Sequence, residues 1–265
     1  MRTLLIDADI PIYEVAARHE RSIPWPYGDQ GSLLWTRTAD LEPAQVAFEE
    51  VVEHYMTRLA ASDRISAVTI GSANWRKDVY PDYKSNRAGG IKPILVPILR
   101  EWVSEQPSGR SVSPLEGDDV LGILATKPHK AGAPDTVIVS SDKDMRCIPG
   151  LHYNPQKDEE FEVTPGQANA WHLIQALAGD RTDGYPGCPG LGMVRAEKMI
   201  PSEVSDKQVF SVWMDVIVPA YDKAGLDEEY ALSQARVARI LRASDYNPKT
   251  KEVKLWYPTP TKGKG

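Results

Sequence analysis

Two short apolar runs, each ending directly in carboxylates, constrain the fold of this chain more than any other feature. Residues 2–6 (RTLLI) read as a buried strand leading into Asp7-Ala8-Asp9, and residues 136–140 (TVIVS) as another leading into Ser141-Asp142-Lys143-Asp144. Residues 65–70 form a third run of this kind. Such runs, separated by segments with helical spacing, are the pattern of a mostly parallel sheet covered by helices on both faces. Helical spacing is found over 44–59, before Trp102, from 118 to Ala125, over 165–178 with Gly179 as a stop, and over 206–216 and 228–241; a short strand is expected near 110–112. The predicted class is therefore α/β: a core over 1–164, a helical region over 165–246, and a loosely ordered Pro- and Lys-rich tail over 247–265.

In a parallel sheet the C-terminal strand ends share one edge, where such folds bind ligands. Asp7 and the Asp142/Asp144 pair follow strands directly and are expected to meet there. Glu116-Gly117-Asp118-Asp119 and Asp180 with Asp183 flank helices and would close a ring. Eight crowded carboxylates repel one another unless cations neutralise them. Oxygen-only ligands suit Mg²⁺ or Mn²⁺ rather than zinc, and two such ions about 3.5–4 Å apart are an efficient arrangement for phosphodiester hydrolysis. Each group also has a plainer reading: Asp118 as a helix N-cap, Asp142 as a cap after a strand, Asp183 as a turn residue before Gly184. Asp7 is harder to explain that way, because a carboxylate closing an apolar strand needs a partner.

Composition narrows the function further. With 31 Lys+Arg against 37 Asp+Glu and a net charge of −6, the chain is no generic nucleic-acid coat protein, yet a nuclease with its acids gathered at a metal centre fits. No apolar run reaches the roughly 18–20 residues of a membrane span; the run over 94–99 is interrupted by Pro97. Cys147 and Cys188 supply neither a disulfide framework nor a zinc ligand set. The first residues lack a signal-peptide pattern. A reducing, cytoplasmic setting without a membrane partner is expected.

The segment 72–92 is unusual: Arg76, Lys77, Lys84, Arg87 and Lys92 outnumber Asp78 and Asp82, interleaved with Trp75, Tyr80 and Tyr83. Lys84 and Arg87 would share a face of a helix, and cations with rings suit a single strand, charge following the backbone while rings stack on bases. A solvated loop with its aromatics in the core is the plainer reading. Further on, Pro186-Gly187-Cys188-Pro189-Gly190-Leu191-Gly192 precedes a helix carrying Arg195 and Lys198. Glycine turns expose backbone N–H groups and a helix N-terminus adds positive potential, so the unit suits a phosphate, although a Gly/Pro run is commonly only a loop. Cys188 reads as packing. A backbone grip without base-reading side chains implies sequence-independent binding.

The run WRKDVYPDYKSNR resembles the FRK…YPxYKxNR signature of the 5′-nuclease family, the flap endonucleases and 5′→3′ exonucleases of phages and bacteria. LLIDADIPIYEVA, EGDD, SSDKDM and GDRTDGYPGCPGLGMVRAEKMI match the family's remaining motifs in order, over about residues 1–200. The resemblance implies two divalent metals on Asp7, Glu116, Asp118, Asp119, Asp142, Asp144, Asp180 and Asp183. It also implies a helical arch over the site, catalytic cations at Lys84, Arg87 and Arg76, and DNA contact by Tyr83. The glycine-rich stretch would be a helix–three-turn–helix holding duplex DNA through Gly187, Gly190, Gly192, Arg195 and Lys198, with K⁺ bound there in some members. The expected activity is structure-specific hydrolysis from the 5′ end of DNA ends, flaps or junctions, extending to RNA in RNA–DNA hybrids. One departure stands out: members place an Asp at the end of the second strand, where this chain has Gly71 and Ser72. Two rival readings remain, a haloacid dehalogenase-type phosphatase using Asp7 and Asp9, and a non-catalytic DNA-junction-binding protein.

Overall fold

The computed structural model describes residues 2–27, 32–87, 89–128 and 135–260. From the N-terminus, β1 (Arg2–Asp7) leads to α1 (Asp9–His19), an antiparallel ribbon of β2 (Glu20–Tyr27) and β3 (Ser32–Ala39), and α2 (Leu41–Arg58). Next, β4 (Asp63–Ala67) runs through a short α3 (Arg76–Val79) and a 3₁₀ turn at Ser85–Arg87 to α4 (Val96–Glu105). The elements β5 (Gly109–Arg110), α5 (Gly117–Ala125), β6 (Asp135–Val139) and the hairpin of β7 (Gly150–Asn154) and β8 (Glu159–Val163) follow. The rest comprises α6 (Pro165–Ala178), α7 (Met193–Met199), α8 (Asp206–Val212), α9 (Val218–Lys223), α10 (Glu228–Ala238) and a small ribbon of β9 (Tyr246–Asn247) and β10 (Glu252–Val253).

Six strands form one sheet in the order β5-β4-β1-β6-β7-β8, parallel except for the antiparallel β7–β8 edge. The apolar runs behave as their composition requires: Leu4, Ile6, Val137 and Val139 pack against α1, α2 and α4 on one face. Leu5 and Ile138, pointing the other way, pack against α5. Asp7 lies opposite Ala67 and Ile6 opposite Val139, so the central strands end together at one edge. Gly117 lets α5 abut that edge, since a Cβ there would stand 3.3 Å from the Ala67 carbonyl. A separate core around Trp213, Ile217 and Tyr221 holds the helices from α6 onward, and residues 240–241 after α10 reach back onto α5.

Four sequence expectations change. The ribbon β2–β3 and the β7–β8 hairpin carry no clean alternation and were not legible. The tail is docked as far as residue 260, 261–265 lying outside the described residues: the Trp256 ring meets His172 edge-on at 4.8 Å and Trp213 at 5.3 Å, and Pro258 is buried. The 206–216 helix runs on through a π-type turn (Trp213–Ile217) into α9. Finally, among the described residues the basic segment is no continuous helical arch. Pro81 disfavours helix at Tyr80 before it, and Lys84 takes a left-handed φ of +57°, which turns the chain down onto the site. No described helix is long and apolar enough to cross a membrane.

Candidate active site

At the C-terminal sheet edge a cleft of about 750 Å³ is lined by Asp7, Glu116, Asp118, Asp142, Asp144 and Asp183, together with Lys84 and Arg87. The convergence follows from local structure. Asp7 ends β1, and its Oδ2 accepts the Ser140 hydroxyl at 2.9 Å. Asp142 caps the turn after β6 by accepting the Asp144 amide at 2.9 Å, so the cap and the site are one feature. Glu116 stands at the N-cap of α5, with Asp118 in its first turn.

The carboxylates differ in what neutralises them. Burial works against the Glu116 charge, but Arg76 and Lys84 outweigh it and hold its pKa down at about 2: Lys84 Nζ lies 2.5 Å from one oxygen, while Arg76 and the Tyr83 hydroxyl donate to the other at 2.9 and 3.0 Å. Asp183 accepts from Arg87 at 2.5 Å and, 2.8 Å from the Tyr83 oxygen, shares that hydroxyl's single proton with Glu116. Asp7 has no such cation; burial and the neighbouring Asp9 raise it to about 7. Asp144 is raised to about 7 by burial and by Asp142, and its Oδ1 is buried with no hydrogen-bond partner. Burial and Asp119 push Asp118 well above the carboxylate range. Burial also raises Asp142, against the opposing Asp144 amide.

Among the described residues, no three His, Cys, Asp or Glu side chains stand close enough as placed to hold one ion. The donor set nevertheless fits a hard divalent cation: all oxygen, concentrated in one cleft, with one buried carboxylate oxygen unpartnered and several acids uncompensated.

Several expected roles are corrected. Asp119 is fully buried, and its oxygens accept from Arg76 twice at 2.8 Å, the Trp75 indole at 2.9 Å and the Leu241 amide at 3.0 Å, leaving nothing for a metal. Arg76 is 1% exposed and also donates to the Val237 and Arg239 carbonyls, so it ties α3 to α5 and to the chain after α10 instead of meeting substrate. Tyr83 is 2% exposed and braces Glu116 and Asp183, which excludes stacking on a base. Asp180 lies outside the cleft lining; Lys143 holds one oxygen at 2.7 Å and the Thr182 amide the other at 2.7 Å.

Lys84 and Arg87 do face the cleft, fastened to the loop before the glycine turns: the Lys84 amide donates to the Asp183 carbonyl at 2.7 Å and Arg87 Nε to that of Thr182 at 3.1 Å. Gly187 (φ +66°) is obligatory, since a Cβ there would stand 2.3 Å from the Gly179 nitrogen; its amide donates to Gln234 at 3.0 Å. Gly190 and Gly192 face open space, and Arg195 and Lys198 are exposed. Ser72 lines the cleft.

Sequence reasoning gave Arg100 and Lys143 no role, and Asp9 one only in the phosphatase reading. Asp9 lines the cleft, paired with Arg100 at 2.9 Å and accepting the Thr69 hydroxyl at 2.6 Å. A carboxylate so engaged is no free general acid, which removes the phosphatase reading. Lys143 was visible between two aspartates; nothing local marks Arg100, a cation on α4.

Residues 39–158 match the family model described as 5′-3′ exonuclease, N-terminal resolvase-like domain. The exodeoxyribonuclease of Enterobacteria phage T3 is 31% identical over 96% of this chain and 92% of its own length; the exonuclease of Escherichia phage T7 is 31% identical over 96% and 93%. The flap endonuclease Xni of Shewanella oneidensis is 33% identical over 48% of this chain and 52% of its own. Among solved structures, phage T5 5′-exonuclease with bound zinc superposes with a TM-score of 0.64 at 12% identity, covering 90% of this chain and 89% of that one. The phage T5 flap endonuclease complex with DNA and metal ions gives 0.63, also at 12% identity and with the same coverage; at such identity these two matches speak to the fold.

Proposed function

The chain belongs to the 5′-3′ exonuclease family, and on that premise we infer that it is a divalent-metal-dependent 5′→3′ exodeoxyribonuclease that also cleaves 5′ flaps. The observation that carries the site assignment is the single cleft that brings Asp7, Glu116, Asp118, Asp142, Asp144 and Asp183 beside Lys84 and Arg87. These six carboxylates would hold two Mg²⁺ or Mn²⁺ ions, which would supply Lewis acidity for an attacking water and for the leaving oxygen.

The chain's own groups do the rest. Lys84 and Arg87 exchange their carboxylate partners for the non-bridging oxygens of the scissile phosphate, placing positive charge where negative charge builds. Tyr83 keeps Glu116 and Asp183 aimed at the cleft. The turns over 186–192, with Arg195 and Lys198, grip the duplex backbone without reading bases. K⁺ at those turns would compete with Arg195, which already donates to the Gly190 carbonyl at 2.8 Å.

The test is digestion of a blunt duplex, a 5′-flap duplex and an RNA–DNA hybrid, each labelled at either end, with and without Mg²⁺. Metal-dependent loss of label from 5′ ends is expected, with cleavage at the flap junction. Release from 3′ ends, or undiminished turnover in excess EDTA, would sink the reading.

A further inference from the structure

A second cavity, of about 420 Å³, adjoins the cleft, with Asp7, Ile10 and Glu14 lining both. It opens between α1, α2 and the turn joining β7 to β8, and lies within the range of about 300–1,000 Å³ typical of small-molecule sites. Its lining comes entirely from residues 7–55 and 139–156. It therefore lies on the Asp7 side of the carboxylates, while Asp183 and the glycine turns lie toward the other side.

We propose that this cavity receives the nucleotide on the 5′ side of the cut, as a deoxynucleoside 5′-monophosphate unit. The proposal rests on the nuclease reading above. A strand gripped by its duplex at the glycine turns and laid across the carboxylates has its scissile phosphate beside Asp7. The nucleotide beyond that phosphate, away from the grip, then enters the space between α1 and α2. Pro11, Val15, Val51 and Tyr55 supply an apolar surface for sugar and base. Arg18, 3.8 Å from Glu14, and His54 are hydrogen-bond donors that can turn to a terminal 5′-phosphate. His19 spends its Nδ1–H on the Val15 carbonyl at 2.9 Å and packs at the edge of the cavity. Hydrolysis adds water across the phosphorus–oxygen bond: the phosphate stays on the DNA, and the nucleotide in the cavity leaves with a free 3′-hydroxyl.

The probe is thymidine 5′-monophosphate at millimolar concentration, with binding followed by saturation-transfer NMR and product inhibition measured on a blunt, 5′-phosphorylated duplex in Mg²⁺. Wild type should bind and be inhibited. Ala47→Trp, which fills the cavity from α2, should weaken both effects at least about tenfold, with duplex binding in Ca²⁺ changed less than twofold. Arg18→Ala should lower the preference for 5′-phosphate over 5′-hydroxyl ends. If Ala47→Trp misfolds by circular dichroism, Glu50→Trp at the exposed rim fills the same space. No binding of the monophosphate to wild type, or equal binding to a folded filled variant, overturns the proposal. A wild type without metal-dependent 5′ hydrolysis instead overturns the nuclease reading.

Discussion

The acids of the site fall into two regions that differ in how their charge is balanced. On one side, Glu116, Asp183 and the nearby Asp180 are matched by Lys84, Arg87, Arg76 and Lys143. On the other, Asp7 pairs with no cation among the described residues and Asp144 has only Lys143, at 3.9 Å and shared with Asp180; burial and neighbouring acids push both up to about 7. The first region is self-neutralised and brings the phosphate-binding cations with it. The second carries its charge only in part near neutral pH, and a cation from solution would draw out the rest. A site of this design can fold without metal and still bind it, because only part of its repulsion is left uncompensated.

The largest expected effect breaks the matched side at its buried root. Arg76→Ala strands Asp119 and Glu116 in the interior, and removing one partner of a buried pair costs about 3–5 kcal/mol. Denaturant unfolding should register that loss, and added Mg²⁺ should not restore it, because Asp119 lies away from the cleft. A variant as stable as wild type but inactive would return Arg76 to the catalytic machinery.

The unmatched side should respond in the opposite sense. A carboxylate with a pKa of 3.8 unfolded and about 7 folded binds more protons in the folded state between those values. Stability without metal therefore falls as pH rises through that window, and the loss is complete above about pH 7. For Asp7 this amounts to about 4 kcal/mol at most. Asp7→Asn should stabilise the metal-free protein above neutral pH and flatten its melting temperature between about pH 4 and 8. It should also lower hydrolysis by about 10²–10³-fold or more, the scale of losing one electrostatic group that acts in the transition state. Mg²⁺ binding to wild type near pH 7 should release protons, detectable in a weakly buffered solution. A melting temperature that rises over this pH range in EDTA would contradict the division of the site.

The two sides were not equally legible in the sequence. Asp7, Asp142 and Asp144 follow apolar strands, and strand ends in a parallel sheet share an edge, so composition alone brought them together. The matching of charges was hidden. Arg76 reaches Asp119 across 43 residues of sequence, and no local pattern distinguishes a buried arginine from a substrate-facing one. The ribbon β2–β3 escaped for a different reason: Pro24 and Pro26 interrupt the alternation that marks strands. A two-stranded ribbon tolerates them because each strand has an outer edge without a partner. Trp256 looked like part of a polar tail because its partners, His172 and Trp213, lie far away in sequence.

A smaller contrast separates chemistry from grip. Lys84→Ala removes a cation poised at the scissile phosphate, so turnover should fall more than duplex affinity. Lys198→Ala removes an exposed cation beside the glycine turns. Affinity should fall, and the slope of log K against log salt should shrink by about one unit, with turnover at saturation little changed. Single-turnover rates and a salt series on the same duplex separate the two. Equal effects of both variants on affinity alone would place Lys84 in the grip.

The smallest expected effect concerns Ser72, at the position where the family resemblance implies an acid. The chain beyond β4 does not leave that corner without charge: the Thr69 hydroxyl holds Asp9 at 2.6 Å, and Arg100 pairs with Asp9 at 2.9 Å. Asp9 lines the cleft with Ser72, but a carboxylate spent on Arg100 contributes little net negative charge to an ion. A serine hydroxyl can orient a water around an ion and adds no charge of its own. Ser72→Asp would add a full negative charge to the cleft that also holds Asp9, whose partner Arg100 is already spent on it. Without metal it should therefore destabilise slightly, while with metal it should lower the Mg²⁺ concentration for half-maximal activity several-fold. Both signs come from one cause, and melting curves in EDTA together with an Mg²⁺ titration of turnover would check them. If neither moves, Ser72 does not feel the ions, and the Asp9–Arg100 pair alone sets the charge at that corner.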